Sequence, residues 1–180
     1  MGGFNRLGAT FPSAEASGFF QWFTLEPVEG ETPVPGRHAI HYRPNGPAFH
    51  ALAEVVLTAD GDGLLQEAEL RLARAFIEHH HNGLFARDIT RSFLRDSIAG
   101  ADADRLGDLM NEIEFPRTIQ PPSLTARSAE TAVPEAPSQG YEAYLGRRGR
   151  WDFRGGAVRL VLENFLEDAE PWFRVSLASR

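Results

Sequence analysis

The chain has 180 residues, enough for one domain with a full core and short for two independent ones. Its formal net charge of -7 argues against a protein that coats nucleic acid or an anionic membrane, because that work needs a basic face. The sequence has no cysteine and no lysine, which excludes disulfides, thiolate nucleophiles, Cys-ligated zinc, Walker-type phosphate loops and Schiff-base chemistry. Every basic residue besides histidine is arginine. Together with the alanine-rich usage, this suggests a GC-rich coding genome, and a bacterial source is expected.

Residues 1–18 are small and polar and read as a loose N-terminal tail without a signal pattern. No apolar window approaches the roughly 20 residues that cross a bilayer. The chain is therefore read as cytoplasmic, with no membrane partner. Phe19–Leu25 (FFQWFTL) is rich in aromatics and reads as a strand. A Pro/Gly/Glu turn over Glu26–Gly36 follows, then a second strand at Arg37–Tyr42 and a strong turn at Pro44–Pro47.

Ala51–Thr58 is β-branched enough for a strand, and Asp60-Gly61-Asp62-Gly63 supplies the residues a hairpin turn needs. Leu64–Ile77 carries two patterns. Leu65, Ala68, Leu72, Ala75 and Phe76 share a helical face; Ala68, Leu70 and Leu72 alternate against Glu67, Glu69 and Arg71 as in a strand. The turn directly before it favours the strand. Helices are expected at 84–98, with Phe85, Ile89, Phe93 and Leu94 on its apolar stripe, and at 102–114, with Leu106, Leu109, Met110 and Ile113.

Residues 116–140 are Pro/Ser/Thr/Ala/Glu-rich without a period and read as a loop or surface strap. Strands are expected at Tyr141–Leu145, Ala157–Asn164 and Trp172–Leu177. This last block is too short to hold a core alone, so it must dock on the first half. Residues 19–180 are thus read as a single domain with no internal repeat. The fold class is α+β: a mostly antiparallel sheet with the two central helices packed on one face.

Candidate chemistry is sparse. His79-His80-His81 offers imidazoles for a metal or a base. On a strand only His79 and His81 would share a face, and there is no HExxH pattern and no cysteine to complete a site, so no metal or cofactor is assigned. His50 and Glu54 are four apart and would share a strand face, a minimal pair for orienting a base; His41 lies three from His38. Asp60-Gly-Asp62-Gly departs from a calcium loop at its fifth and twelfth positions, Leu64 and Arg71. Arg87, Arg91 and Arg95 run at i, i+4, i+8 down the first helix, where like charges repel by a few tenths of a kcal/mol, roughly. Such a stripe suits carboxylates of a partner, or acidic strand residues such as Glu67 and Glu69. Arg147, Arg148, Arg150, Arg154 and Arg159 interleave with Trp151 and Phe153. This pattern serves single-stranded nucleic acid, or a turn between strands with aromatics in and arginines out.

The expected function is a non-catalytic partner-binding module of the adaptor, chaperone or inhibitor kind, with another protein as partner. A sheet of this type could also bury its outer face in a homodimer. The alternative is an enzyme or small-ligand binder using His41, His50, Glu54 and His79–His81 in a pocket, with metal dependence as a lesser variant.

Overall fold

The structure, a computed structural model, describes residues 9–28, 38–98, 104, 106–114, 139–155 and 158–179. Seven strands form one antiparallel sheet: β1 (Leu25–Pro27), β2 (His38–Pro44), β3 (Ala53–Ala59), β4 (Leu65–Ala73), β5 (Arg150–Gly155), β6 (Val158–Glu167) and β7 (Glu170–Ser179). Their order across the sheet is β1-β2-β3-β4-β7-β6-β5. Two meanders, β2-β3-β4 and β5-β6-β7, therefore meet edge to edge at β4 and β7, with Arg71 opposite Arg174. Topologically a half-turn about that pair carries one meander onto the other, a symmetry with no visible repeat in the sequence.

Strand alternation sets the two faces of the sheet. Val55, Leu57, Ala68, Leu70, Leu72, Leu160, Leu162, Phe173, Val175 and Leu177 point inward and are buried. Their neighbours, among them Glu54, Glu69, Arg71, Glu163 and Arg174, point to the other face. The Leu64–Ile77 ambiguity resolves as a strand followed by a helix: β4 runs to Ala73, and α3 (Arg74–Glu78) begins at once. Both sequence patterns were present because the chain changes element midway. Asp60 closes the β3–β4 turn. Its Oδ1 accepts from the amides of Asp62 and Leu64, each at 3.0 Å, and its Oδ2 from Gln66 at 2.8 Å.

The remaining helices lie over the inward face: α1 (Phe11–Glu15), α2 (Gly18–Trp22), α4 (Asn82–Ser97), α5 (Gly107–Glu114) and α6 (Gln139–Tyr144). Their apolar residues join those of the sheet in one core, drawing Ala14, Phe19, Ile89, Phe93, Ile113 and Tyr144 from the helices. The C-terminal block docks on the first half through β4–β7, as its length required. No helix among the described residues is long and apolar enough to cross a membrane.

Three segments depart from the sequence expectation. Phe19–Leu25 is mostly helix, not strand. Ser17 caps it, its Oγ accepting from the Phe20 amide at 3.4 Å, and Phe19, Phe20 and Phe23 are buried while Trp22 is 82% exposed. Burial at i, i+1 and i+4 is a helical face; a strand would bury alternate residues. Tyr141–Leu145 is likewise helical: Tyr141, Ala143 and Tyr144 are buried, and the Leu145 amide donates to Tyr141 O at 2.9 Å. Residues 9–18, expected as loose tail, carry α1. The Tyr42 hydroxyl on β2 donates to Glu15 Oε1 at 2.8 Å, and Thr10 bridges to Leu64. Burial first, and then that Glu15 contact, hold the Tyr42 hydroxyl well above its ordinary titration range. Residues 1–8, the Pro-rich segment at 116–138, most of the turn over Glu26–Gly36 and the first residues of the 102–114 helix lie outside the described residues.

One buried charge ties the halves together. Arg74 opens α3 and is 7% exposed. It donates to Tyr144 O at 2.6 Å and to Glu78 Oε1 at 2.9 and 3.2 Å. Gly146 follows α6 with φ +77°, the left-handed residue that commonly ends a helix. A Cβ there would stand 2.8 Å from Arg74 Nη2. From the other side, Asn164 on β6 donates to Ala143 O at 2.7 Å and Arg148 O at 2.9 Å. The α6–β5 turn is thus held by two side chains distant in sequence.

Candidate functional site

With the helices on one face, no element among the described residues covers the other face of the sheet across its six strands β2 to β7. Its middle is a continuous chain of ion pairs. Arg43 Nη2 lies 3.1 Å from Glu54 Oε1, and Glu54 Oε2 lies 3.5 Å from Arg71 Nη1. Arg71 donates Nε and Nη2 to Glu69 at 3.0 and 2.9 Å; the other Glu69 oxygen is 3.8 Å from Arg174 Nη1 and accepts from Ser176 Oγ at 3.3 Å. Arg174 Nη2 bonds Glu163 Oε2, and Glu163 Oε1 accepts from Arg150 Nη1 at 3.2 Å. Arg150 and Arg159 then share Asp152, at 3.0 and 2.8 Å. Five arginines alternate with four carboxylates from β2 to β5.

Register explains the alternation. Arg71 pairs across the ladder with Glu54 on one side and Arg174 on the other; Arg174 pairs with Glu163, and Glu163 with Arg150. With Arg43 bonded to Glu54, the transverse row reads Arg–Glu–Arg–Arg–Glu–Arg. The adjoining row runs His41, Val56, Glu69, Ser176, Val161, Asp152. It places two valines between the charges and lets Glu69 separate Arg71 from Arg174. The hydrogen bond from Arg174, opposed by partial burial and reinforced by the charges of Arg174 and Arg150, holds the Glu163 carboxyl below its ordinary value. Arg159 does the same for Asp152, with help from Arg150.

Two hollows flank this chain. A shallow one of about 200 Å3 lies over β5–β7 and is bounded by Arg150, Arg159, Arg174, Glu67, Glu69 and Ser176. A larger cleft of about 630 Å3 lies toward the β6–β7 turn, bounded by His41, Arg43, Glu54, Arg71 and Trp172. Phe165 sits under the Arg174 guanidinium, 5.1 Å from centroid to Cζ. Such guanidinium–ring contacts are attractive.

The sequence-derived candidates are dispersed. Glu54 is on the open face, but its imidazole partner is His41, with Nδ1 3.2 Å from Oε1. His50 sits in the turn between β2 and β3, exposed, because the strand begins at Ala53 rather than Ala51. His79 and His81 lie at the α3–α4 junction. His79 Nδ1 accepts from the amides of His81 and Asn82, both at 3.3 Å, and so caps α4. Among the described residues, no group of three or more His, Cys, Asp or Glu is arranged to hold a metal ion.

Arg87, Arg91 and Arg95 lie on α4, in the helical layer away from the open face. Arg87 is half-buried beside Tyr144. Burial raises that hydroxyl's titration well above the ordinary range, and the Arg87 charge partly offsets the rise. Arg95 is exposed, 3.6 Å from its neighbour Asp96. Glu69 pairs with Arg71 and Arg174, not with this stripe.

Arg43, Arg71, Arg174, Glu163 and Asp152 were not singled out from the sequence. Their signal was the charged residue at alternate positions of each strand, which says that a face is wet but not which charges meet across it. Comparison with known protein families, curated proteins and solved structures finds no match.

Proposed function

We propose that this protein is a non-catalytic module that binds a partner protein through the open face of its sheet. The observation that carries the reading is the nine-residue ion-pair chain laid across six strands between two hollows. The pairs are partly buried, with side-chain exposures from 12% at Glu54 to 47% at Arg150; desolvating such charges offsets much of their mutual attraction, and ordering each long side chain costs up to about 2 kcal/mol. The chain is therefore a weak source of fold stability. What it provides is an array of donors and acceptors held in fixed positions, and preorganisation of that kind lowers the cost of binding.

A different protein suits this face better than a second copy. Two copies stacked face to face in register about a two-fold axis would set the Arg–Glu–Arg–Arg–Glu–Arg row on itself. Arginine would face arginine and glutamate glutamate, an arrangement that like-charge repulsion disfavours. Hydroxyl-radical footprinting of the protein with a captured stoichiometric partner tests the reading. Protection of Trp172 and Phe165 on the open face, with Trp22 on the helical layer still oxidised, is expected; the reverse pattern removes the proposal.

A second reading, a small-ligand site, is favoured by the cleft at His41 and Glu54, whose volume is in the range of ligand pockets. A ligand-panel thermal shift that is lost in Glu54→Gln and retained in His50→Ala would support it. The same panel moving neither protein would count against it.

A further inference from the structure

We infer that the β5–β7 half of the open face receives carboxylate groups of an acidic segment on the partner protein. This rests on the open-face reading above and adds the chemistry of the partner. The arginine side chains are more exposed than the glutamates they pair with: Arg150 is 47% exposed against 22% for Glu163, and Arg174 30% against 22%. The carboxylates brace the arginines from below.

Bracing leaves donors outward. Arg150 uses Nε and Nη1 on Asp152 and Glu163, so its Nη2 has no bond among the described residues. Arg159 uses Nε alone, leaving both terminal nitrogens without a bond among the described residues. Arg154, exposed and opposite Arg159 on β5, has no ion pair among the described residues. Arg174 adds charge but no outward donor: its Nε is buried and its terminal nitrogens face Glu69 and Glu163. Arg150, Arg159 and Arg174 line the hollow together with Glu67, Glu69, Glu163 and Ser176, and Arg154 stands beside it as the cross-strand neighbour of Arg159. A guanidinium fork matches a carboxylate in geometry, and such charge-assisted bonds are about twice as strong as neutral ones.

Position decides between anions. Trp151 and Phe153 turn inward to pack against the core, so the bases of a nucleic acid find no stacking surface on this strand. The chain's net charge of -7 repels a long polyanion, whereas a short acidic segment answers a local patch. The opposite end of the face differs: Glu167, Asp168 and Glu170 carry no ion pairs among the described residues and rim the larger cleft. They repel an acidic segment from the β6–β7 turn and leave it the Arg150–Arg159 end of these strands.

The test uses the full chain and three probes: an oligoglutamate peptide, an oligolysine peptide and inorganic phosphate, followed by amide and arginine side-chain NMR. Oligoglutamate is expected to shift Arg150, Arg154, Arg159 and Arg174. Binding should weaken about tenfold or more in Arg150→Gln/Arg159→Gln and stay unchanged in Arg95→Gln. Oligoglutamate binding that the double substitution leaves intact overturns the inference, as does phosphate binding equally well at the same arginines. Oligolysine shifting the open face while oligoglutamate does not would overturn the acidic partner and leave the open-face reading standing. Shifts from every peptide confined to the helical layer would remove both.

Discussion

Replacing Gly146 with alanine strikes the turn that joins the two halves. Gly146 has φ +77°, and a Cβ there would lie 2.8 Å from Arg74 Nη2 and 3.1 Å from its Cζ. A left-handed backbone costs a non-glycine residue about 1–2 kcal/mol. The guanidinium must then move, although it is buried and bonded to Tyr144 O and Glu78. Weakening one hydrogen bond to a buried charge costs about 1.5–3 kcal/mol. Less alanine's smaller backbone entropy cost, about 0.5–1 kcal/mol, the sum is a loss of about 2–4 kcal/mol. Urea unfolding followed by tryptophan fluorescence measures it. An unchanged slope with a lower midpoint is expected. A loss under about 1 kcal/mol would refute the argument, because it would mean that Arg74 relaxes freely and does not fix the α6–β5 turn.

The β6–β7 turn offers the opposite sign. Asp168 and Ala169 both have positive φ, +51° and +67°, in a two-residue hairpin loop that prefers Asn-Gly. Ala169→Gly should raise stability by about 0.5–1 kcal/mol, the strain relieved less the entropy of glycine; thermal unfolding reads it, and a fall in stability would argue against the turn geometry. His79→Ala removes the acceptor that caps α4 and should cost about 0.5–1 kcal/mol, while His79→Asn should retain most of it; equal losses in the two would point away from capping. Acid should destabilise the protein through Asp60, Asp152 and Glu163. All three carboxyls are held below their ordinary values, so their contribution is present at neutral pH and lost as pH falls below the ordinary carboxylate range. Equilibrium unfolding across that range should show a shallower decline in Asp152→Asn than in the parent chain; identical slopes would contradict the assignment.

The fold class was legible because β4 and β7 bury alternate residues along their middles, because β3 and β6 carry β-branched or alternating apolar runs, and because α4 and α5 carry helical stripes. Aromatic content misled at Phe19–Leu25 and Tyr141–Leu145. Phenylalanine and tyrosine favour strands on average, yet here a Ser17 cap and burial at helical spacing decide the matter. The arginines and aromatics from Arg147 to Arg159 suit a nucleic-acid platform or a turn between strands; Arg150–Gly155 is instead the edge strand β5, with Arg150, Asp152 and Arg154 alternating with Trp151 and Phe153. Of the site, Glu54 and His41 were both visible in the sequence, but their pairing was not. Pairing with His41 instead of His50 depends on where β3 begins and on its register with β2. The ion-pair chain depends on five such registers at once, and no single strand contains that information.

The open sheet face, not the helical layer, is proposed to meet the partner. The most direct test is affinity capture from native cells at moderate salt with three forms of the protein: the parent chain, Arg150→Gln/Arg159→Gln on the open face, and Arg91→Gln/Arg95→Gln on α4, each first shown to unfold normally. The account predicts one stoichiometric partner on the parent chain, retained by the α4 variant and lost from the open-face variant. Retention by the open-face variant and loss from the α4 variant would contradict it and move the interface to the helical layer.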